Sequence, residues 1–163
     1  MAGVAVIGGG QAGLAVSHEL TRTGVEHVVL EKGRIGQTWR GRWDSFCLVT
    51  PNWTIQLPGH HYAGDDPDGF LERDAIVAHL EDYAASFRPP IQEGVTVNSL
   101  EPGPRSRFLL RTTSGDLEAD SVVLATPTSV PTDRLPPRAS PTCCRSSTRS
   151  GTPTRARCRR ARC

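Results

Sequence analysis

The residues whose types and spacing could do chemistry are Gly8, Gly10 and Gly13, set G-x-G-x-x-G directly after the apolar run Val4-Ala5-Val6-Ile7. Glycines carry no reactive group, so the chemistry is binding. A strand that ends in this pattern and turns into a helix aims free backbone N–H groups and the positive end of the helix dipole at one point, where a pyrophosphate fits. Gly8 lets the chain turn sharply, Gly10 leaves room for the phosphate, and Gly13 lets the helix lie close on the strand. Glu31 ends a second apolar run, 18 positions past Gly13. A carboxylate there can accept hydrogen bonds from both hydroxyls of an adenosine ribose and repels a 2′-phosphate, which argues against NADP at this site. Lys32 and Arg34 soften that exclusion. FAD and NAD both satisfy the pattern.

No Ser/His/Asp, Cys/His or paired-carboxylate arrangement is visible that would act without a cofactor, so no side chain is assigned as catalytic. His60-His61 and Asp65-Asp66-Pro67-Asp68-Gly69 invite a metal reading and fail it. Adjacent imidazoles do not easily share one ion, and the acidic loop has Gly64 where a calcium loop needs its first ligand. Cys143, Cys144, Cys158 and Cys163 contain no C-x-x-C pair, which argues against zinc. No metal site is assigned, and Cys47 is expected to be a reduced, buried thiol.

These residues need a frame. Residues 3–7 read as a buried parallel strand, 11–23 as a helix stopped by Gly24, and 27–31 as a second parallel strand, a βαβ unit of dinucleotide half-site size. A core-facing amphipathic helix is expected over 74–87, with Asp74 as its cap and Pro89-Pro90 beyond its end. Short strands at 94–100, 107–113 and 117–120, separated by Pro102-Gly103-Pro104 and Ser114-Gly115-Asp116, suggest an antiparallel meander. Ser121 to Thr126 reads as one more buried strand. The expected class is α/β, a Rossmann-like nucleotide-binding domain over residues 1–126 with a parallel sheet, helices and a small β-meander.

One further stretch is more specific. Glu31-Lys32 leads to Ile35-Gly36-Gln37-Thr38-Trp39-Arg40, then Arg42-Trp43-Asp44-Ser45-Phe46 and Thr50-Pro51-Asn52-Trp53. From Val4 to Thr126 the chain resembles the FAD domain of class B flavoprotein monooxygenases, a group with flavin-containing, Baeyer–Villiger, N-hydroxylating and YUCCA-type members. The resemblance implies that Gly8, Gly10, Gly13, Glu31, Lys32, Thr38 and Trp39 contact FAD, and that Asn52 matches a polar residue near the flavin ring. It implies an NADPH co-substrate, and transfer of one oxygen atom from O2 to a small organic substrate. Gly36-Gln37 stands where the family often has Gly-Gly. Trp39, Trp43 and Trp53 also suit packing beneath a long loop.

Composition changes sharply after Thr126. Residues 1–126 hold 16 acidic and 10 basic side chains, whereas residues 127–163 hold nine arginines against Asp133, six of the 13 prolines and four of the five cysteines. Val130 and Leu135 are that tail's only large aliphatics, so it is expected to be disordered. The arginines would hold polyphosphate non-specifically, yet aromatic residues for stacking are missing, and no specific nucleic-acid partner is expected. Arg, Ser, Thr, Pro, Cys and Gly are what GC-rich DNA yields out of frame. Back-translating the tail and reading one nucleotide earlier can produce an H-S-x-x-Y segment, which in the resembling family leads toward the NADPH-binding glycine motif. The expectation is a frameshift between about Ala125 and Arg138 followed by early termination, with the NADPH site absent and activity doubtful. No secretory signal and no membrane span is visible, and a cytoplasmic location is expected.

Overall fold

The computed structural model describes residues 2–104 and 106–127. They lie in a first compact unit, Met1–Pro127; the second, Thr128–Cys163, falls outside the described residues, and with it the expectations for the tail.

Strand β1 (Ala2–Ile7), helix α1 (Gln11–Arg22) and strand β2 (His27–Glu31) form the expected βαβ unit. β1 and β2 pair in parallel from Val4↔His27 to Ile7↔Leu30. The neighbours Ala5 and Val6 are both fully buried, so β1 is covered on both faces, as a continuous apolar run requires. Thr23 caps α1 and Gly24 follows at φ 72°, a left-handed conformation that glycine adopts without strain.

A four-residue helix α2 (Gln37–Arg40), not anticipated from the sequence, then leads to a long loop containing a single 3-10 turn (Asn52–Thr54). The hairpin of β3 (Gln56–Leu57) and β4 (His60–His61) follows. Helix α3 spans Arg73–Phe87. Its N-cap is Glu72, without a side-chain cap bond, and Asp74 pairs with Arg73 (2.8 Å), so the expected Asp74 cap is corrected to a first-turn ion pair. Ile76, Val77, Leu80, Tyr83 and Ala84 form its buried face.

After α3, strand β5 (Ile91–Glu93) adds in parallel to the outer edge of β2. It is short and polar, which hid it from pattern reading, and Pro89-Pro90 delivers it already extended. β6 (Val97–Pro102), β7 (Phe108–Thr112) and β8 (Gly115–Leu124) complete a six-stranded sheet of order β5-β2-β1-β8-β7-β6. The two strands expected at 117–120 and 121–126 are one: β8 is antiparallel to β7 along its first half and parallel to β1 from Ala119 onward. Nothing at Asp120-Ser121 breaks the chain, so the ladder changes partner without a turn. The expected burial of this strand is also corrected, because Leu124 is 68% exposed.

There are two cores. Ala5, Leu30, Val95, Leu110 and Ala119 cluster along the sheet, with Val95 from the β5–β6 connection; Leu14, Leu57, Leu80, Tyr83 and Ala84 join α1, the hairpin and α3. Burying a side chain such as Leu14 or Leu110 contributes about 1.5–3 kcal/mol. Among the described residues, no helix is long and apolar enough to cross a membrane.

Candidate nucleotide-binding site

The glycines sit at the carboxyl end of β1, beside the carboxyl end of the neighbouring β8, the side on which open α/β sheets bind ligands. Gly8 has φ 113°, and a Cβ there would lie 2.6 Å from the Ala125 carbonyl oxygen. At Gly13 a Cβ would collide with the Gly8 carbonyl oxygen. Gly10 differs: a Cβ there would meet no protein atom within 4 Å. Its bare backbone faces open space, which is where a ligand can approach. Gly10 also caps α1, which has no side-chain cap bond and no acid in its first turn, so its leading N–H groups are left for an anion.

The Glu31 carboxylate joins two loops. Its Oε2 accepts from the Gly9 N–H (2.6 Å) and its Oε1 from the Gly33 N–H (2.8 Å). Two acceptor positions of the carboxylate remain for hydroxyls. Gly9 was not singled out from the sequence, yet a Cβ there would press on Ile91 (2.8 Å) and on Glu31 itself (3.0 Å). The adjacency of three glycines was the available signal.

These groups border one cavity of about 580 Å³, within the range of cofactor pockets. Gly8 and Gly10 form one wall, with Ala125, Thr126 and Pro127 beside them. Glu31, Lys32 and Gly33 form another, Gln37 and Thr38 a third, and Val95, Thr96 and Val97 close it. Ala125 is tied to the motif by its N–H donating to the Ile7 carbonyl (2.9 Å). Gln37, where the resembling family often has glycine, turns its amide oxygen toward the Arg34 N–H (3.4 Å).

Two expected site residues lie elsewhere. Trp39 packs into the helical core with Leu14 and Leu80 and touches the Phe46 ring (5.7 Å between centroids). Asn52 is buried; its Nδ2 donates to the Asp66 carbonyl (2.8 Å) and its Oδ1 accepts from the Leu71 N–H (2.6 Å). The structure therefore places Asn52 as a clasp on the loop it came from, because both ends of its amide are already used. Trp43 and Trp53, expected to suit packing, are 61% and 56% exposed. Cys47, expected to be buried, is half-buried and bridges backbone to Glu72. His60 is half-buried and His61 exposed, the alternation of a strand. Among the described residues no group of three or more His, Cys, Asp or Glu could hold a metal ion.

Residues 5–133 match the family model described as pyridine nucleotide-disulphide oxidoreductase. A CzcO-like oxidoreductase of Geobacillus kaustophilus is 41% identical over 76% of this chain and 35% of its own length. The indole-3-pyruvate monooxygenase YUCCA4 of Oryza sativa is 37% identical over 52% of this chain and 20% of its own. Among solved structures, a flavin-containing monooxygenase from Stenotrophomonas maltophilia superimposes with a TM-score of 0.68 at 29% identity, covering 77% of this chain and 38% of that one. A bacillithiol disulfide reductase from Bacillus cereus reaches a TM-score of 0.70 at 19% identity, over 80% of this chain and 42% of that one, a likeness of fold alone. The chain thus spans roughly a third of the length of the curated relatives that match over most of it.

Proposed function

The chain belongs to the pyridine nucleotide-disulphide oxidoreductase family, and from that membership we propose that its cavity binds FAD as part of an NADPH-dependent flavoprotein monooxygenase. The observation that carries the reading is Gly10, whose bare face meets open space at the N-terminus of α1 while Glu31 stands across the same cavity. The N–H groups of the first turn and the helix dipole would hold the pyrophosphate. Glu31 would accept from the adenosine ribose with the lone pairs that Gly9 and Gly33 leave, with Lys32 and Thr38 lining the same cavity. Trp39, next to Thr38 in sequence, packs into the core, and Asn52 holds its own loop. When bound, FAD would take electrons from NADPH and pass them to O2, so that one oxygen atom enters a small organic substrate and the other leaves as water. The protein's share is to bind, orient and shield.

The monooxygenase reading is favoured over a disulfide reductase because the similarity above 25% identity runs to the flavin monooxygenase. We also propose that the tail is out-of-frame sequence; the idea fails if the coding sequence one nucleotide earlier is not open or lacks a second glycine motif soon after. The FAD reading is tested by purifying the chain and recording its flavin absorbance with and without NADPH. Yellow protein is expected. Colourless protein that takes up no added FAD would sink the reading.

A further inference from the structure

The hairpin of β3 and β4 is held against the two helices largely by rings. The His60 imidazole lies 4.7 Å from that of His79 and 5.4 Å from the Tyr83 ring, centroid to centroid. The His18 ring stacks on Tyr83 at 5.7 Å and meets Phe87 edge-on at 5.2 Å. Two imidazoles, His18 from α1 and His60 from the hairpin, thus flank the fully buried Tyr83, and His79 of α3 meets His60. Beneath the hairpin, Leu57 packs on Leu14 of α1 and Leu80 of α3.

The charges around this cluster are uneven. On α1, His18 Nδ1 lies 3.2 Å from the Glu19 carboxylate, so a proton there has a counter-charge. On the hairpin, His61 is exposed. Among the described residues His60 and His79 have no carboxylate within ion-pair distance; Asp82, one turn along α3, acts on His79 only from farther away. The His79 Nε2 is buried without a hydrogen-bond partner among the described residues, as is the Tyr83 hydroxyl. His79 also borders a cavity of about 40 Å³, room for about one water, whose other walls include Leu48, Ile55, Leu57 and Ile76. Neutral rings suit this place. Two protonated imidazoles this close together, one of them against aliphatic walls, do not.

We infer that the His60–His79 pair is an acid-sensitive latch: uncharged, it holds the β3–β4 hairpin onto α3, and protonated, it lets the hairpin go. Burial first, and then the neighbouring His60, hold the His79 imidazole below its ordinary range, in the direction the geometry requires. The inference needs no bound nucleotide and stands whether or not the cavity takes FAD.

The test uses the full chain. Histidine Cε1–H resonances are followed by NMR from about pH 5 to 8, and amide hydrogen exchange is measured on the hairpin and, as an internal reference, on β1. His79 is expected to titrate below an exposed histidine, and exchange at 56–61, corrected for its intrinsic pH dependence, to speed up about tenfold relative to β1 for each unit by which its titration is lowered. Among the described residues His27 is the buried histidine, whereas His79 is half-buried with its Nε2 buried; the His27 Nε2 meets the Ser17 hydroxyl (2.8 Å) and its Nδ1 the Val25 carbonyl (2.9 Å). Its effect would fall on β2 and α1 rather than on the hairpin. The variants His60→Phe and His79→Phe keep a ring in place and should flatten the acid response, while the exposed control His61→Gln should retain it. Titration of His79 at or above the exposed value overturns the latch, as does a hairpin response unchanged in both phenylalanine variants. If those variants do not fold, the wild-type titration and exchange data decide alone.

Discussion

Gly10 and Gly13 belong to one motif, but their surroundings separate their roles. At Gly13 an added methyl would run into the Gly8 carbonyl, so Gly13→Ala should cost at least about 3 kcal/mol, seen as a large drop in melting temperature or loss of soluble protein. Gly10 has φ −84° and ψ −170°, an extended conformation open to alanine, and nothing lies near its missing Cβ. Gly10→Ala should therefore melt within about 0.5 kcal/mol of the parent. FAD titration should nonetheless show binding weakened about tenfold or more, because the methyl intrudes where the phosphate would lie. Glu31→Gln keeps one acceptor and turns an amide NH2 toward either Gly9 or Gly33. One of those N–H groups loses its partner, at about 1–3 kcal/mol measurable by denaturant unfolding.

At the scale of elements, the loop between α2 and α3 and the face of α3 carry the tests. Asn52 spans its loop from Asp66 to Leu71, so Asn52→Ala should cost about 1–3 kcal/mol and speed hydrogen exchange at Leu71. A role confined to a ligand would leave that exchange unchanged. Tyr83 presents the reverse case. Its hydroxyl is buried without a partner among the described residues, and burial, with Glu19 nearby, pushes its pKa up to about 12. Removing the hydroxyl removes a desolvated group and leaves the ring contacts with His18, His60 and Phe87 intact, so Tyr83→Phe should melt at the same temperature or higher, by up to about 1 kcal/mol.

For the whole molecule, acid should act in two stages. His79 is lowered in the folded state from its ordinary 6.5, so the unfolded chain binds its proton more tightly. The stability tied to neutral His79 is present above about pH 6.5 and is lost as pH falls through the lower folded value. Glu19 is lowered from 4.5 chiefly by Arg22, and Asp74 from 3.8 chiefly by Arg73. Their contributions, weakened by exposure to solvent, hold above those values and disappear at still lower pH. Thermal melts across this range should show a first loss below about pH 6.5 that His79→Phe removes, and a second below about pH 4.5 that it leaves in place.

Local pattern determined the βαβ unit and the start of α1, because these depend on periodicity and turn chemistry among residues close along the chain; the pairing of the glycine turn with Glu31, 22 residues from Gly9, was legible because the βαβ unit sets the two strand ends side by side. An apolar run, a turn that tolerates only glycine and a helix stop at Gly24 can be read without knowing what lies across from them. The continuous β8 could not be read that way: Asp120-Ser121 looks like a boundary until β7 and β1 are both in place to take up the same strand on either side. The short β5 needed β2 as a template. Within the site, position in the motif already separates Gly8, Gly10 and Gly13, and the structure adds which atoms each one meets: Ala125 at Gly8, the Gly8 carbonyl at Gly13 and open space at Gly10. The limit returns at Asn52. Asn52 turned inward because Asp66 and Leu71, 14 and 19 residues away, supply its partners. Those partners come from the closing of a loop, which no spacing of residues records.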